Sequence, residues 1–238
     1  RYLKSIPVHA AVMESVEFVK RAHKRSASGL VNAVLRKVTR AQIRWPDRST
    51  ELSCPEWLLK SWDRQFGTSA AFGIAKSALE EPPVYVRVPA GAEVPEDFDS
   101  TDVAGAYKPR TAARHGFRIQ DAGAQAIVPL LELAPGMRFL DLCAAPGNKT
   151  AQALETPELS AVACDAKRAR MDPLIELGCP VVVLDAAKPL PFSAAFDRIL
   201  VDAPCSGTGT IGRNPEIKWR LKHADIAGFA RRQKAILG

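Results

Sequence analysis

The sequence predicts an α/β protein, with a parallel, doubly wound sheet in its second half preceded by amphipathic helices and a small α+β segment. Four short apolar runs after residue 137 are each followed by an aspartate, with helical or loop stretches between them. Near the start, apolar residues instead recur at the helical period. The 238 residues are 47% apolar and 25% charged. This globular composition excludes wholesale disorder, a collagen-like fibre and a disulfide scaffold.

Residues 1–44 form the first predicted domain and read as two helices separated by Ser28-Gly29. Their apolar positions follow the helical spacing: Val8, Val12, Val16 and Val19 in the first helix, then Leu30, Val31, Val34, Leu35 and Val38 in the second. Two amphipathic helices cannot bury a core alone, so we expect half of a helical bundle.

Residues 45–116 are predicted to be a linker followed by a small α+β subdomain. Its apolar pattern indicates a helix over 56–80, and alternating valines indicate a strand over 82–88. Residues 89–115 carry many acids, prolines and glycines without periodicity, which predicts a long loop.

Residues 117–238 carry the βαβ pattern, beginning with a helix predicted over 121–133. The predicted strands are 138–142, 161–164, 181–184 and 198–201, and the aspartates at their carboxyl ends are Asp141, Asp165, Asp185 and Asp202. In such sheets, ligands bind beyond the carboxyl ends of the strands. Four carboxylates at that edge therefore predict a ligand site.

The charge of the chain is unevenly distributed. Residues 1–48 hold 11 Lys/Arg against 3 Asp/Glu and residues 211–238 hold 7 against 2, whereas the middle is acidic. Two basic ends indicate binding of a polyanion such as nucleic acid, although basic helices can also simply face water. The candidate contacts are Lys37, Arg40, Arg213 and Lys218.

Localisation is predicted from what the sequence lacks. No apolar run approaches the ~20 residues that span a bilayer, and the start, RYLKSIPVHA, has no signal-peptide core. Five cysteines without C-x-x-C spacing argue against a zinc site and fit a reducing compartment. We therefore expect a cytoplasmic, monomeric protein without metal. The chain has no initiator Met and begins within a helical pattern, so we also expect a fragment.

The first turn of the sheet, DLCAAPGNKT from Asp141 to Thr150, indicates the cofactor. Its small residues let a ligand approach the backbone, but it has neither G-x-G-x-x-G nor a P-loop pattern, which disfavours a dinucleotide and excludes a P-loop. Asp165 is placed to bind ribose hydroxyls and Asp185 to meet an adenine amino group. A nucleoside with a short charged tail fits, and we expect S-adenosylmethionine.

The fourth strand ends in DAPCSGTG, from Asp202 to Gly209. A free cysteine is usually a small buried hydrophobic residue. Here Pro204, Ser206 and Gly207 indicate a tight turn instead. Cys205, three residues after Asp202, is therefore a candidate reactive thiol.

These motifs resemble a known family. DLCAAPGNKT resembles motif I and VDAPCSGTGTIGRNPEIKW resembles motif IV of the RNA 5-methylcytosine methyltransferases, of the bacterial RsmB (Sun or Fmu) type. FRIQDAGAQ resembles the motif preceding the catalytic domain, and IPVHAAVMESVEFVK with SGLVNAVLRKV resembles the last helices of a NusB-like domain. The resemblance implies a Rossmann-like class I methyltransferase sheet, truncated here, acting on ribosomal RNA.

The resemblance also implies roles for individual residues. The cofactor loop would comprise Cys143, Ala144, Ala145, Pro146, Gly147, Asn148 and Lys149, with Asn148 standing where the family usually has glycine. Asp202 would lie between cofactor and base, on the cytosine N3/N4 edge. Cys205 would assist release of the product, while the attacking cysteine belongs to a T-C-S sequence that occurs nowhere in these residues. In related DNA methyltransferases the Pro-Cys cysteine itself attacks, so both roles stay open for Cys205.

Two other functions remain compatible with the sequence. The basic helices could serve a non-catalytic RNA-binding scaffold. A uracil-C5 methyltransferase would also use a thiolate, although Asp202 suits the cytosine edge better.

Overall fold

A computed structural model describes residues 6–38, 44–193 and 195–238. The chain divides into two compact units, Arg1–Glu51 and Leu52–Gly238. The division therefore lies beyond the predicted boundary at residue 44. Among the described residues, no helix is both long enough and apolar enough to cross a membrane.

The first unit contains the two predicted helices, α1 (Val8–Arg21) and α2 (Ser28–Lys37), followed by the short α3 (Arg48–Glu51). The prediction of two helices is confirmed. No residue of α1 or α2 is buried, and Phe18 and Leu30 keep 61% and 67% of their surface exposed. The pair thus has an apolar surface without a core of its own, as expected for half of a bundle.

The second unit begins with two helices, α4 (Glu56–Phe66) and α5 (Thr68–Ser77), where one was predicted. Gly67 separates them because its φ of 81° and ψ of 157° lie outside the helical region. The two helices pack around a small core built from Leu52, Cys54, Leu58, Leu59, Trp62, Ala71, Ala75 and Ile211.

A small antiparallel sheet follows, with the order β2-β3-β1-β4. Its strands are β1 (Val86–Arg87), β2 (Phe98–Ser100), β3 (Ala106–Pro109) and β4 (Arg118–Ile119). The prediction of a loop over 89–115 was wrong, because β2 and β3 lie within it and bury Phe98 and Ala106. These strands have only three or four residues, with Asp99 and Lys108 exposed, so their alternation is too short to detect.

The predicted parallel sheet is confirmed. Its strands are β5 (Arg138–Asp141), β6 (Ser160–Asp165), β7 (Val181–Val183) and β8 (Arg198–Leu200). They lie in the order β7-β6-β5-β8, and every pair is parallel. The strand order reverses between β5 and β8, so a ligand crevice is expected at their carboxyl ends.

The helices of this part of the chain are α6 (Ala122–Gln125), α7 (Asn148–Ala153), α8 (Asp172–Ile175), α9 (Ile217–Arg220) and the longer α10 (His223–Leu237). Of these, α7, α8 and α10 bury side chains against the parallel sheet. The single helix predicted over 121–133 is instead α6 followed by a 3₁₀ turn, Val128–Leu131. Pro129 lacks the N–H that a continuing α-helix needs, and Glu132 takes a left-handed conformation that ends the turn.

Candidate functional site

A cleft of about 420 Å³ opens at the carboxyl ends of β5 and β8, and we call it the sheet-edge cleft. On the parallel-sheet side it is lined by Asp141, residues 143–146, Asn148, Lys149 and Asp202. The opposite side contributes Val84, Tyr85, Arg114, residues 119–121, Ala124 and Arg213. The structure therefore gathers most of the predicted cofactor loop and Asp202 around one cavity.

The loop between β5 and α7 turns sharply at Gly147. This residue has a φ of 105°, and its N–H donates to the carbonyl oxygen of Ala144 at 2.7 Å. A Cβ at position 147 would lie 2.9 Å from Cδ2 of Leu174, so both the conformation and the space require glycine. Asn148 then begins α7 and donates from Nδ2 to the carbonyl of Ile119 at 3.1 Å. The loop is thus held in a shape that leaves its backbone open to the cleft.

Asp141 is the buried carboxylate of the cleft, with 1% of its surface exposed. Its Oδ2 accepts a hydrogen bond from the Thr150 hydroxyl at 2.8 Å, whereas its Oδ1 has no hydrogen-bond partner among the described residues. Burial raises the pKa of Asp141 to about 6. A buried acceptor without a partner is costly, so Asp141 is suited to a ligand that brings a donor or a positive charge.

Asp165, the predicted ribose ligand, lies beneath the loop and does not line the sheet-edge cleft. It is 6% exposed, and its two oxygens accept hydrogen bonds from the backbone N–H groups of Ala145 at 3.2 Å and Lys167 at 2.9 Å. The Asp165 carboxylate thus holds the cofactor loop against β6. A carboxylate has about four acceptor sites, so these bonds leave capacity for a ligand hydroxyl.

Asp185, the predicted adenine partner, is half-buried at the end of β7 and likewise does not line the cleft. Its Oδ1 accepts from the N–H of Ala187 at 3.2 Å and lies 3.5 Å from Nη2 of Arg232, on α10. An adenine amino group approaching Asp185 would meet this guanidinium as a competitor.

Asp202 follows β8 and pairs with the lysine of the cofactor loop. Lys149 Nζ lies 2.5 Å from Oδ2 of Asp202, and the two side chains are 19% and 56% exposed. Cys205 is exposed three residues later, and its Sγ accepts a long contact from the N–H of Gly207 at 3.4 Å. Gln233 of α10 steadies this turn by donating to the carbonyl of Pro204 at 3.1 Å.

The other cysteines near the cleft are poor nucleophiles. Burial raises the pKa of Cys143, which lines the cleft, to about 11, and raises that of Cys164 to about 12. Because the thiolate is the reactive form, both remain protonated near neutral pH. Cys205 is therefore the accessible thiol at this edge of the sheet.

The predicted RNA contacts occupy different environments. Lys37 is exposed at the end of α2, and Arg40 lies outside the described residues. Arg213 donates to Oδ2 of Asp121 at 2.7 Å and to the carbonyl of Pro83 at 3.1 Å, while its side chain stays 40% exposed. Lys218 is only 4% exposed, and burial lowers its pKa. Little of the Lys218 side chain is therefore exposed, and its contact with phosphate stays a prediction.

Sequence reasoning missed three side chains that organise the site. Thr150 orients Asp141, Arg170 donates to the carbonyl of Ala145 at 2.7 Å, and Arg232 pairs with Asp185. Thr150 belongs to the loop motif, so its hydroxyl gave a usable signal. No spacing in the sequence connects Arg232 to Asp185.

Comparisons with known proteins identify the family. Residues 128–238 match the family model described as 16S rRNA methyltransferase RsmB/F, and residues 1–40 match that of the NusB family. A ribosomal RNA small subunit methyltransferase B from Enterobacter sp. (strain 638) is 34% identical over 98% of this chain. The chain spans 62% of that relative's length.

Solved structures support the fold. The crystal structure of PH0851 aligns with 97% of this chain and 60% of its own chain, at a TM-score of 0.75 and 22% identity. A methyltransferase homolog protein from Pyrococcus horikoshii aligns with 82% of this chain and 72% of its own, at a TM-score of 0.62 and 22% identity. The chain therefore belongs to the RsmB/F methyltransferase family through residues 128–238 and carries a NusB-family segment at residues 1–40.

Proposed function

We propose that this chain is the cofactor-binding part of an S-adenosylmethionine-dependent methyltransferase that acts on C5 of cytosine in ribosomal RNA. The observation that carries the proposal is the meeting of Lys149 and Asp202 in the sheet-edge cleft, with the exposed Cys205 three residues further on. The names of the family and of the curated relative support a ribosomal RNA substrate.

The residues around the cleft suit S-adenosylmethionine, which supplies a methyl group on a positively charged sulfur. Asp141 offers an unpartnered, buried acceptor, and the small side chains of Ala144 and Ala145 leave the loop backbone accessible. Asp165 would bind the ribose with the acceptor capacity that its two backbone bonds leave. Asp185 would face the adenine, provided that Arg232 gives way.

Cytosine C5 must be activated before it can attack a methyl group. Addition of a thiolate to C6 forms an S–C6 bond and gives C5 enamine character. Asp202 would accept a hydrogen bond from the N4 amino group of the base. In its protonated form it would donate its proton to N3, where negative charge develops as the thiolate adds, and Lys149 holds this carboxyl group in place. After transfer, the C5 proton leaves and the S–C6 bond breaks.

Cys205 has the accessibility that either thiol role needs. It is exposed, and its turn is held by the Gln233 bond to Pro204. It can attack C6 itself, or it can assist breaking of the S–C6 bond made by another cysteine. The resemblance of its motif favours the second role.

The strongly basic residues 1–48 fit the same substrate. Four of its described cations, Lys20, Arg21, Arg36 and Lys37, lie at exposed positions of α1 and α2. Such a surface binds the RNA backbone without reading bases, and it would bring the nucleic acid to the protein.

Two measurements on the 238-residue chain test the proposal. Titration calorimetry should detect binding of S-adenosylmethionine, and the absence of binding while RNA still binds would indicate a scaffold instead. The second uses RNA that carries 5-fluorocytosine, which cannot lose its C5 substituent and therefore traps an attacking thiol. We expect no covalent band on a denaturing gel if Cys205 acts in release. A band that disappears in Cys205→Ala but persists in the control Cys179→Ala would make Cys205 the attacking thiol.

A further inference from the structure

A second cleft, of about 600 Å³, lies beside the sheet-edge cleft, and we call it the lateral cleft. Tyr85, Asp121 and Arg213 line both cavities. The ion pair of Arg213 with Asp121, at 2.7 Å, thus forms part of the wall between them. Anything that fills the lateral cleft is a direct neighbour of whatever occupies the sheet-edge cleft.

The walls of the lateral cleft offer flat apolar faces. Tyr85 contributes an aromatic ring, and Pro82 and Pro83 contribute the rigid faces of their pyrrolidine rings. Trp62 also lines the cleft, but it is 7% exposed and packs in the core of α4 and α5. Gly209 and Gly212 line the cleft without side chains, which leaves room between these faces. Unstacked bases of single-stranded RNA bind on aromatic surfaces of this kind.

The charged groups of the lateral cleft are mostly carboxylates. Glu80 and Glu81 line it, both exposed, and neither side chain forms a hydrogen bond or an ion pair with the described residues. Free carboxylates repel phosphate but accept hydrogen bonds from the amino groups of bases. The combination therefore selects a nucleobase over the sugar-phosphate backbone.

We propose that the lateral cleft binds an unpaired nucleobase that carries an exocyclic amino group, next in the RNA to the base held in the sheet-edge cleft. This inference rests on the proposed function. Guanine is the best match, because its adjacent N1–H and N2–H groups can donate to the two oxygens of one carboxylate. Uracil matches poorly, since its single N–H lies between two carbonyl oxygens.

Pairs of RNA nonamers that differ only in an amino group test the proposal. Each has a central cytosine within uridines, and the two nucleotides beside that cytosine are guanosine in one nonamer and inosine in the other. Inosine lacks only the amino group, so stacking is nearly unchanged. A second pair compares adenosine with purine riboside. Affinities are measured by fluorescence anisotropy with S-adenosylmethionine at saturation.

We expect the chain to bind the amino-bearing member of at least one pair about fivefold more tightly, as for one charge-assisted hydrogen bond. The double variant Glu80→Ala/Glu81→Ala should reduce that ratio below about twofold. The control Glu93→Ala/Glu96→Ala removes the same charge from exposed positions that line neither cleft and should keep the ratio. Repulsion between carboxylates and RNA affects both members of a nonamer pair alike, so the ratio isolates the base contact.

The outcomes separate this inference from the proposed function. Binding of all nonamers with equal affinity within each pair would overturn the lateral-cleft assignment and leave the methyltransferase proposal standing. A preference that survives in Glu80→Ala/Glu81→Ala would also overturn it, because the base would then be read elsewhere. Failure of every nonamer to bind would contradict RNA as the substrate and the lateral subsite with it.

Discussion

The Lys149 ammonium lies 2.5 Å from Oδ2 of Asp202, and this pair joins the first turn of α7 to the residue that follows β8. The two residues are far apart in the chain but meet because β5 and β8 are neighbours in the sheet. Asp202 stays 56% exposed, so the pair adds little to the free energy of unfolding. The role of this ion pair is to position the Asp202 carboxylate in the cleft, between the cofactor loop and the Cys205 turn.

Asp165 should matter to cofactor binding through the loop that it holds. Replacing it with alanine leaves the N–H groups of Ala145 and Lys167 without their acceptor and removes the proposed ribose contact. We expect Asp165→Ala to weaken the binding of S-adenosylmethionine by about 10- to 100-fold, measured by titration calorimetry. Asp172→Ala is the matched control, since within the described part of the chain that exposed carboxylate pairs only with Arg168, at 2.9 Å. Equal affinities in wild type and Asp165→Ala would contradict the assignment.

The accessible thiol should be distinguishable by chemical labelling at pH 8. A pKa of about 11 leaves about one Cys143 thiol in a thousand ionised at that pH, and Cys54 and Cys164 are buried. We expect iodoacetamide to modify Cys205 first, as read by mass spectrometry of the digested protein. Cys205→Ser should abolish the fast phase, and Cys179→Ser should keep it. Labelling of Cys143 as fast as Cys205 would show that the cofactor loop opens.

The sequence predicted those elements whose apolar pattern was long enough to recognise. The parallel strands have apolar centres, and an acid stands at or just after the carboxyl end of each, so their positions were predicted to within two residues. The strands β2 and β3 are short and each contains one charged residue, and Phe98 of β2 is buried against Phe117, which lies in another part of the chain. Only tertiary contacts make them strands.

The candidate site shows the same division. Residue types predicted that carboxylates would meet at one edge of the sheet. They could not predict the partners of these carboxylates, because the N–H of Ala145 and the guanidinium of Arg232 reach Asp165 and Asp185 only after folding. Lys218 is the clearest case, since a basic residue in a basic segment lies buried close to the core that contains Cys54. Charge counts cannot distinguish such a lysine from an exposed one.

The basic first segment should contact RNA phosphates. Charge reversal at two positions, Lys37→Glu/Arg40→Glu, should weaken the binding of a single-stranded RNA and reduce the slope of log affinity against log salt. The slope should fall by about 0.7 for each phosphate that the variant no longer neutralises. Anisotropy titrations between about 50 and 200 mM salt, where such effects are large, measure both the affinity and its salt slope. An unchanged slope would mean that these residues do not touch the nucleic acid.

Asp141 should make stability depend on pH in an unusual direction. Its pKa is raised from an ordinary value of 3.8 to about 6, chiefly by burial. Between these two values the folded protein keeps a proton that the unfolded chain has released. The stabilisation from this group is therefore complete below about pH 4 and is lost as the pH rises through 6. Asp141→Asn provides the reference, because its amide oxygen can still accept the Thr150 hydrogen bond while the side chain never ionises.

Urea unfolding of both proteins at roughly pH 4, 5, 6 and 7 measures how this stabilisation changes, because the series begins near the lower pKa and ends above the higher one. Groups away from Asp141 titrate alike in the two proteins, so the difference in their free energies of unfolding reports chiefly on position 141 and its immediate neighbours. Relative to Asp141→Asn, the wild type should lose about 2–3 kcal/mol between pH 4 and pH 7, as a shift of about two pKa units implies. A difference that stays constant with pH would show that Asp141 has the same pKa in the folded and unfolded states, so that burial does not raise it.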